Sequence, residues 1–200
     1  MRALICRPAD SSGKKRGFTL TELAIVLGII GTILGAIWVA AAKVYTNQRV
    51  NKAVSQVLTV SQGVRALYGG KGSVDSGNLT AAMMNFGIFP TDTTQACSAA
   101  NSALYDGVNP CAANPWGVEI QVGSQTSWNG APAAANKFEI MEDNPFSSCP
   151  AFLGALLQQA SAAGLVWAFA TGPGAIASPS TTAISAVSTC TGNVTLQFSL

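Results

Sequence analysis

The sequence predicts an α+β fold in which one long N-terminal helix packs on an antiparallel sheet. Three observations predict it. The run from Leu23 to Ala42 is apolar and carries no charge, and apolar residues then recur at helical spacing as far as Tyr68. Short apolar segments separated by glycine, proline and asparagine follow. Strands that come after a long helix, rather than alternating with helices, indicate an antiparallel sheet.

The uncharged run is the first element. Its twenty residues, at about 1.5 Å of helix each, span roughly 30 Å, which is the thickness of the bilayer hydrocarbon. Five basic residues and one acidic residue precede Phe18, and positive flanks stay in the cytoplasm. We therefore expect a single membrane span over residues 20–42, with everything after Lys43 exported to the periplasm.

A secretory signal peptide is the alternative for this segment, because Ala40-Ala41-Ala42 satisfies the small-residue cleavage rule. The apolar run is longer than the roughly 7–15 residues of a signal peptide. It also begins beside Glu22, and an ionised carboxylate in lipid costs roughly 2.5–3.5 kcal/mol unless it is paired. Cleavage between Gly17 and Phe18 would create a partner, a new α-ammonium group one helical turn from Glu22. An anchor with a processed N-terminus fits better.

The residues around this bond, Gly17-Phe18-Thr19-Leu20-Thr21-Glu22-Leu23, resemble the class III signal of type IV prepilins. The resemblance implies that the membrane aspartyl peptidase of this family, the prepilin peptidase, removes residues 1–17 and methylates the amino group of Phe18. It also implies that Glu22 pairs with the N-terminus of a neighbouring copy during assembly. Gly17 and Phe18 are then processing residues, and Phe18 and Glu22 are assembly residues.

The second part of the helix is amphipathic and has one apolar stripe between polar residues. The stripe consists of Val50, Val54, Val57, Ser61, Val64 and Tyr68. Such a stripe needs a sheet to cover it, so one helix from about Thr21 to Tyr68, within a segment 18–70, is both anchor and core element. We expect the glycines of Gly69–Gly72 to end it with a left-handed cap.

Small residues lie along the membrane part of the helix. Gly28, Gly31 and Gly35 include a G-x-x-x-G spacing, which permits close approach between helices. Glycine is also common in membrane helices in general, so the spacing alone leaves both interpretations open. No proline occurs in this run, and the proline-centred kink of many pilins of the a subclass is not expected here.

The remaining residues, 71–200, are predicted to form one exported head. We expect a short capped helix at Asn78–Phe86 and a second helix at Ser148–Ala163, with Ser148 as its cap. The polar segment Gly123–Asn136 is expected to separate two strands. The predicted strands are Trp116–Val122, Lys137–Met141, Leu165–Ala170, Ala183–Ser188 and Val194–Ser199.

Four head cysteines form an even set without a C-x-x-C pair: Cys97, Cys111, Cys149 and Cys190. In an exported chain such a set favours two disulfides over a metal site. We expect a local Cys97–Cys111 bond within a loop Cys97–Pro115, which leaves Cys149–Cys190, although four cysteines allow three pairings. The wide C-terminal loop that results resembles the D-region of pilins. The long leader and the large mature chain resemble the type IVb subclass.

Composition excludes several classes of function. The chain has no histidine, which excludes histidine-based triads and ordinary catalytic zinc sites, so we expect neither an enzyme nor a cofactor. Glu139, Glu142 and Asp143 cluster in the sequence, but a solvated strand end explains them better than paired catalytic carboxylates. The leader holds five of the 11 basic and one of the nine acidic residues, so its loss changes the net charge from +2 to −2. Direct nucleic-acid binding is therefore not expected.

These expectations describe a structural protein, the major pilin of a type IVb pilus that serves adhesion, aggregation or conjugation. It is stored in the inner membrane, cleaved, and polymerised with its own copies by the inner-membrane assembly machinery into an extracellular filament. A type II secretion pseudopilin shares the leader but usually has a smaller head. A minor pilin or tip adhesin that binds a ligand through Gly123–Asn136 and Gly172–Ser180 is a further alternative. A membrane-anchored exported enzyme lacks any recognisable catalytic constellation.

Overall fold

The chain divides into two compact units, Met1–Lys43 and Val44–Leu200. A computed structural model describes residues 17–95, 111–124, 134–142, 148–159, 163–170, 174–177 and 193–200, with the backbone alone for 174–177. The first helix, α1, extends from Leu20 to Tyr68 and contributes to both units. The later elements are α2 (Thr80–Asn85), a 3-10 turn (Thr91–Thr93), β1 (Thr94–Gln95), β2 (Cys111–Ala112), β3 (Ile120–Ser124), β4 (Lys137–Glu142), α3 (Cys149–Gln159), β5 (Leu165–Ala170), β6 (Gly174–Ala177) and β7 (Val194–Ser199).

Helix α1 is one continuous helix of 49 residues, and its ends agree with the sequence prediction to within one residue. In the first unit every residue from Gly17 to Lys43 is exposed. By length and composition the helix can cross a membrane. A Cβ added at Gly28, Gly31 or Gly35 would meet nothing within 4 Å, so the single chain leaves these surfaces uncovered.

In the second unit α1 buries the predicted stripe. All six stripe residues are buried, and Ala53, Gln56 and Val60 are buried with them. Burial of each valine stabilises the unit by roughly 1.5–3 kcal/mol. The helix then ends at Tyr68, whose carbonyl accepts hydrogen bonds from Lys71 N at 2.9 Å and Gly72 N at 3.2 Å. The left-handed backbone predicted for this glycine segment occurs at Gly72, where φ is 67°.

A five-stranded antiparallel sheet covers this part of α1. Its strand order is β3-β4-β7-β5-β6, so the C-terminal strand β7 lies in the middle, between β4 and β5. In the register of these pairs Ile140 lies opposite Leu196, and Leu196 lies opposite Ala168. Side chains alternate between the two faces of a strand, and this face joins α1 and α3 in one hydrophobic core. The rings of Phe138 and Phe198 stack there with centroids 5.5 Å apart.

The predicted helices of the head are present with narrower bounds. In α2 the N-cap residue is Leu79, which makes no side-chain cap hydrogen bond, so the helix starts one residue later than the prediction at Asn78. Asn78 Oδ1 instead accepts hydrogen bonds from Thr80 N at 2.9 Å and from Thr80 Oγ1 at 2.7 Å, just before the helix. Helix α3 begins at Cys149, directly after the predicted cap Ser148, and ends at Gln159. Ala163, predicted as the last residue of this helix, lies instead in a turn with Gly164, whose φ is 65°.

Two strand predictions are confirmed without change, at Leu165–Ala170 and Val194–Ser199. The prediction for β4 is also confirmed, with one more residue at its end. The predicted start of β3 at Trp116 is wrong. Asn114 Oδ1 accepts hydrogen bonds from Trp116 N and Val118 N, at 3.0 and 3.1 Å, and this bent segment delays the strand to Ile120.

Three further expectations need correction or lie outside the described residues. Gly123 and Ser124 belong to β3, although we expected them in the connecting segment. The expected loop Gly172–Ser180 contains a strand, β6, which forms the sheet edge beside β5. The strand predicted at Ala183–Ser188 lies outside the described residues.

The acidic cluster on β4 is not solvated. Glu139 and Glu142 are both fully buried, because β4 lies inside the sheet between β3 and β7. Glu139 Oε1 accepts a hydrogen bond from Gln197 Nε2 at 3.2 Å, across the β4–β7 ladder. Asp143 lies outside the described residues. Glu139 and Glu142 are three positions apart in β4, so they lie on opposite faces of the sheet and do not form a pair.

Two of the four head cysteines are described. Cys111 and Cys149 are buried and disulfide-bonded. Cys97 and Cys190 lie outside the described residues, so the pairing of Cys97 with Cys111 and of Cys149 with Cys190 stays a prediction.

Candidate assembly site at the start of the first helix

The start of α1 is built by Thr19 and Glu22. Gly17, Phe18 and Thr19 are not helical, and the carbonyl of Thr19 accepts the first bond of the helix, from Leu23 N at 3.2 Å. Thr19 is therefore the N-cap residue, and Glu22 is the third helical residue.

These two side chains satisfy each other reciprocally. Glu22 Oε2 accepts hydrogen bonds from Thr19 N and from Thr19 Oγ1, both at 2.9 Å. Thr19 Oγ1 accepts a bond from Glu22 N at 3.3 Å. This arrangement is a capping box, and it satisfies two backbone N–H groups that would otherwise lack partners. It also holds a negative charge at the positive end of the helix dipole, which is favourable.

The capping box leaves part of the Glu22 carboxylate available. Both donors from Thr19 bind the same oxygen, Oε2. Gly17, Phe18, Thr19 and Glu22 line one open hollow of about 430 Å³. A cation entering this hollow would meet a carboxylate whose position is already fixed.

The structure places the predicted processing residues beside this hollow. The bond between Gly17 and Phe18 lies in non-helical chain, and Phe18 is 87% exposed. The sequence prediction identified Gly17, Phe18 and Glu22 but assigned no role to Thr19. The signal was present, because Thr19-Leu20-Thr21-Glu22 has the T-x-x-E spacing of a capping box.

The described residues of the second unit form no candidate metal site. No group of three or more histidine, cysteine, aspartate or glutamate side chains in these ranges could hold a metal ion. Its described ion pairs, Lys52–Asp92 and Lys71–Asp75, are both largely exposed.

The start of α1 lies within a known sequence motif. Residues 12–38 match the prokaryotic N-terminal methylation motif. The matched segment contains the whole capping box and the Gly17–Phe18 bond. The match covers 27 of the 200 residues, from 12 through 38. The motif implies processing by a prepilin peptidase and polymerisation, and together with the apolar helix it fits membrane anchoring.

Comparison with solved structures finds the crystal structure of TcpA, a type IV pilin from Vibrio cholerae El Tor biotype. The two chains are 14% identical and superpose with a TM-score of 0.49, over 76% of this chain and 98% of that one. Among curated proteins, none matches this chain.

Proposed function

We propose that this protein is the major pilin of a type IVb pilus. In this proposal a prepilin peptidase cuts after Gly17, the amino group of Phe18 is methylated, and the assembly machinery polymerises the subunits into an extracellular filament. The head lies in the periplasm before assembly. The observation that carries the proposal is the methylation motif at residues 12–38, with Glu22 fixed by its capping box at the fifth position after the cut.

The local structure supports the cleavage step. A peptidase needs an accessible, non-helical chain, and the capping box starts the helix at Leu20, two residues after the bond to be cut. Cleavage converts the amide nitrogen of Phe18 into an α-ammonium group beside the hollow that contains Glu22. The new α-ammonium group is positive and the Glu22 carboxylate is negative, so the α-ammonium group of one copy can pair with Glu22 of another.

The energetics of the membrane helix support the assembly step. An unpaired carboxylate at membrane depth is costly, and a neighbour's α-ammonium group would remove that cost. The helix surface around Gly28, Gly31 and Gly35 is bare in the single chain and permits close approach of a second helix. Polymerisation through α1 therefore covers a surface that otherwise needs lipid.

The assignment to the type IVb subclass is supported by size and by the cysteines. Removal of the 17-residue leader from the 200-residue chain leaves 183 residues. Two head cysteines are disulfide-bonded, which fits an exported domain.

The decisive experiment determines the N-terminus of the subunit in sheared filaments by N-terminal sequencing and intact-mass measurement. We expect an abundant chain that begins with methylated Phe18. Glu22→Ala should be cleaved normally but be absent from filaments, whereas Thr21→Ala, one residue away and outside the capping box, should assemble.

Other outcomes would assign the chain differently. A chain that begins at Lys43 would indicate a secretory signal, and one that still begins at Met1 would indicate a plain anchor. A cleaved chain present only in traces would be a minor pilin, and cleavage without visible filaments would fit a pseudopilin.

A further inference from the structure

A cationic hollow lies on α1 shortly after the uncharged run ends. Its lining is Tyr45, Gln48, Arg49, Lys52 and Pro115, and its volume is about 270 Å³. We propose that this hollow binds the phosphate of an anionic phospholipid in the periplasmic leaflet of the membrane that α1 spans. The proposal rests on the membrane anchoring that is part of the proposed function, and we call the hollow the headgroup site.

The headgroup site stands at the height of lipid phosphates. Tyr45 follows Ala42, the last residue of the uncharged run, by three positions, which is about 4.5 Å of helix. The headgroup layer occupies roughly 5–7 Å on each side of the hydrocarbon. Tyrosine is also enriched in this layer, where its ring lies near the acyl chains and its hydroxyl in the polar region.

Arg49 brings its charge down to the same height. Helical side chains lean toward the N-terminus, which for this helix is the direction of the membrane. Arg49 Nη2 donates a hydrogen bond to Tyr45 Oη at 2.5 Å, and its guanidinium carbon lies 4.4 Å from the centre of the Tyr45 ring. The guanidinium group is therefore fixed one turn closer to the bilayer than its own Cα.

The charge of Arg49 has no carboxylate partner within the described ranges. The ion pairs found there join Lys52 to Asp92 and Lys71 to Asp75. The sequence itself has no acidic residue between Glu22 and Asp75. One of the five N–H donors of Arg49 binds Tyr45, and the planar fork of the others has the geometry that binds phosphate oxygens in pairs.

The distribution of basic residues also favours an anionic lipid. Lys43, Arg49 and Lys52 are three of the six basic residues that follow the leader, and all three lie within ten residues of the span. This placement opposes the usual tendency of basic residues to stay on the cytoplasmic side. Basic residues beside a span attract anionic headgroups, each contributing roughly fivefold in affinity. Because Lys52 is paired with Asp92, the attraction depends on Lys43 and Arg49. A bound lipid would hold the base of the head against the membrane until the subunit is extracted.

The test uses the full-length, uncleaved chain purified in detergent. Phosphatidylglycerol or phosphatidylcholine is titrated in, and bound lipids are counted by native mass spectrometry. The wild-type chain should prefer phosphatidylglycerol, and Arg49→Gln should lower that affinity by roughly fivefold or more. Arg49→Lys should fall between them, because it keeps the charge and loses the planar fork. Lys71→Gln, three residues beyond the end of α1, is the matched control and should bind like the wild type.

Three results would overturn the proposal. The first is that Arg49→Gln binds phosphatidylglycerol as well as the wild type does, and the second is that the wild type binds both lipids equally. Displacement of the lipid by excess inorganic phosphate would show a general phosphate site instead. In the first of these cases, an accompanying loss of filaments would assign Arg49 to a contact with a second copy instead. Because the chain is uncleaved, a failure of processing leaves the lipid result intact and separates the two proposals.

Discussion

At the scale of single residues, the sequence analysis identified Glu22 as a functional residue but assigned no role to Thr19. A carboxylate beside twenty uncharged residues has a high free-energy cost in lipid unless it is paired, so its position alone predicts a partner. A threonine costs nothing at this position, so its role is indicated only by the T-x-x-E spacing and is shown by the hydrogen bonds of 2.9 Å from Thr19 N and Thr19 Oγ1 to Glu22 Oε2. A residue that is unfavourable by itself, such as Glu22, is therefore easier to identify from sequence than one whose role lies in a bond to its neighbour, such as Thr19.

The capping box gives a residue-scale prediction. Thr19→Val keeps the shape of the side chain but removes the hydroxyl that binds Glu22. Loss of an N-cap costs about 1 kcal/mol, so amide hydrogen exchange at residues 20–23 should accelerate by roughly fivefold. Exchange measured on the full chain in micelles checks this. Thr21→Val, in the same turn, is the control and should leave exchange unchanged; equal acceleration in both variants would show that the box contributes nothing.

Tyr68 gives a prediction for alkaline pH. Its hydroxyl donates a hydrogen bond to Asp75 Oδ2 at 2.9 Å, and burial, that bond and the charge of Asp75 together raise the pKa of Tyr68. A folded-state pKa above the unfolded value near 10 means that folding favours the protonated form. This stability is complete below about pH 10 and is lost as the pH rises through the raised folded-state pKa.

Denaturant unfolding of the full chain at pH 9 and at pH 11 measures this loss. The free energy of unfolding should fall more between the two values in the wild type than in Tyr68→Phe, which cannot ionise. Tyr45→Phe, altered at a tyrosine outside the head core, should show the same decrease in the free energy of unfolding as the wild type. An identical decrease in Tyr68→Phe would assign the alkaline effect to other groups.

At the scale of elements, long periodic segments were predictable and local interruptions were not. The bounds of α1, β5 and β7 follow from apolar patterning over many residues. The late start of β3 depends on one asparagine side chain that accepts two backbone bonds, which apolar patterning does not register. The burial of Glu139 depends on β4 lying between two other strands, and strand order is information from the tertiary structure.

The contact between α1 and the start of β5 gives an element-scale prediction. Arg65 Nε donates a hydrogen bond to the carbonyl of Ser199 at 2.8 Å, and its guanidinium group lies against Gly164. A Cβ at Gly164 would overlap Arg65 Nη2, and the φ of 65° there disfavours any other residue. Gly164→Ala should therefore destabilise the head by about 1–3 kcal/mol.

Chemical denaturation of the full chain measures the effect, and Gly154→Ala is the matched control. Gly154 lies within α3 with nothing within 4 Å of an added Cβ. The control should be neutral or stabilise by up to about 1 kcal/mol, because alanine is the better helix former. A Gly164→Ala variant as stable as this control would show that Arg65 moves away at no cost.

At the scale of the whole molecule, the two units separate two tasks. The methylation motif ends at residue 38, inside the first unit, whereas the sheet and its hydrophobic core belong to the second. Within α1 the sequence shows the two patterns that lipid and a folded core demand, apolar on all faces in the first part and a single apolar stripe in the second. It could not predict that the last strand of the chain would occupy the middle of the sheet.

Because β7 lies in the middle of the sheet, one substitution in it should unfold the head without changing the segment that is processed. Leu196 is fully buried and lies opposite both Ile140 and Ala168, so Leu196→Asp places a charge in the middle of the core. The expected cost exceeds about 4 kcal/mol, which is enough to unfold the head. Because the signal for processing lies in the other unit, cleavage after Gly17 should continue.

Expression beside a prepilin peptidase should give a chain that is protease-sensitive in its head yet has lost the mass of residues 1–17. Leu196→Ile should be cleaved and resistant, and Gly17→Val should be resistant and uncleaved. An uncleaved Leu196→Asp chain would mean instead that the peptidase acts only on subunits whose heads have folded, and the two units would then be coupled before assembly begins.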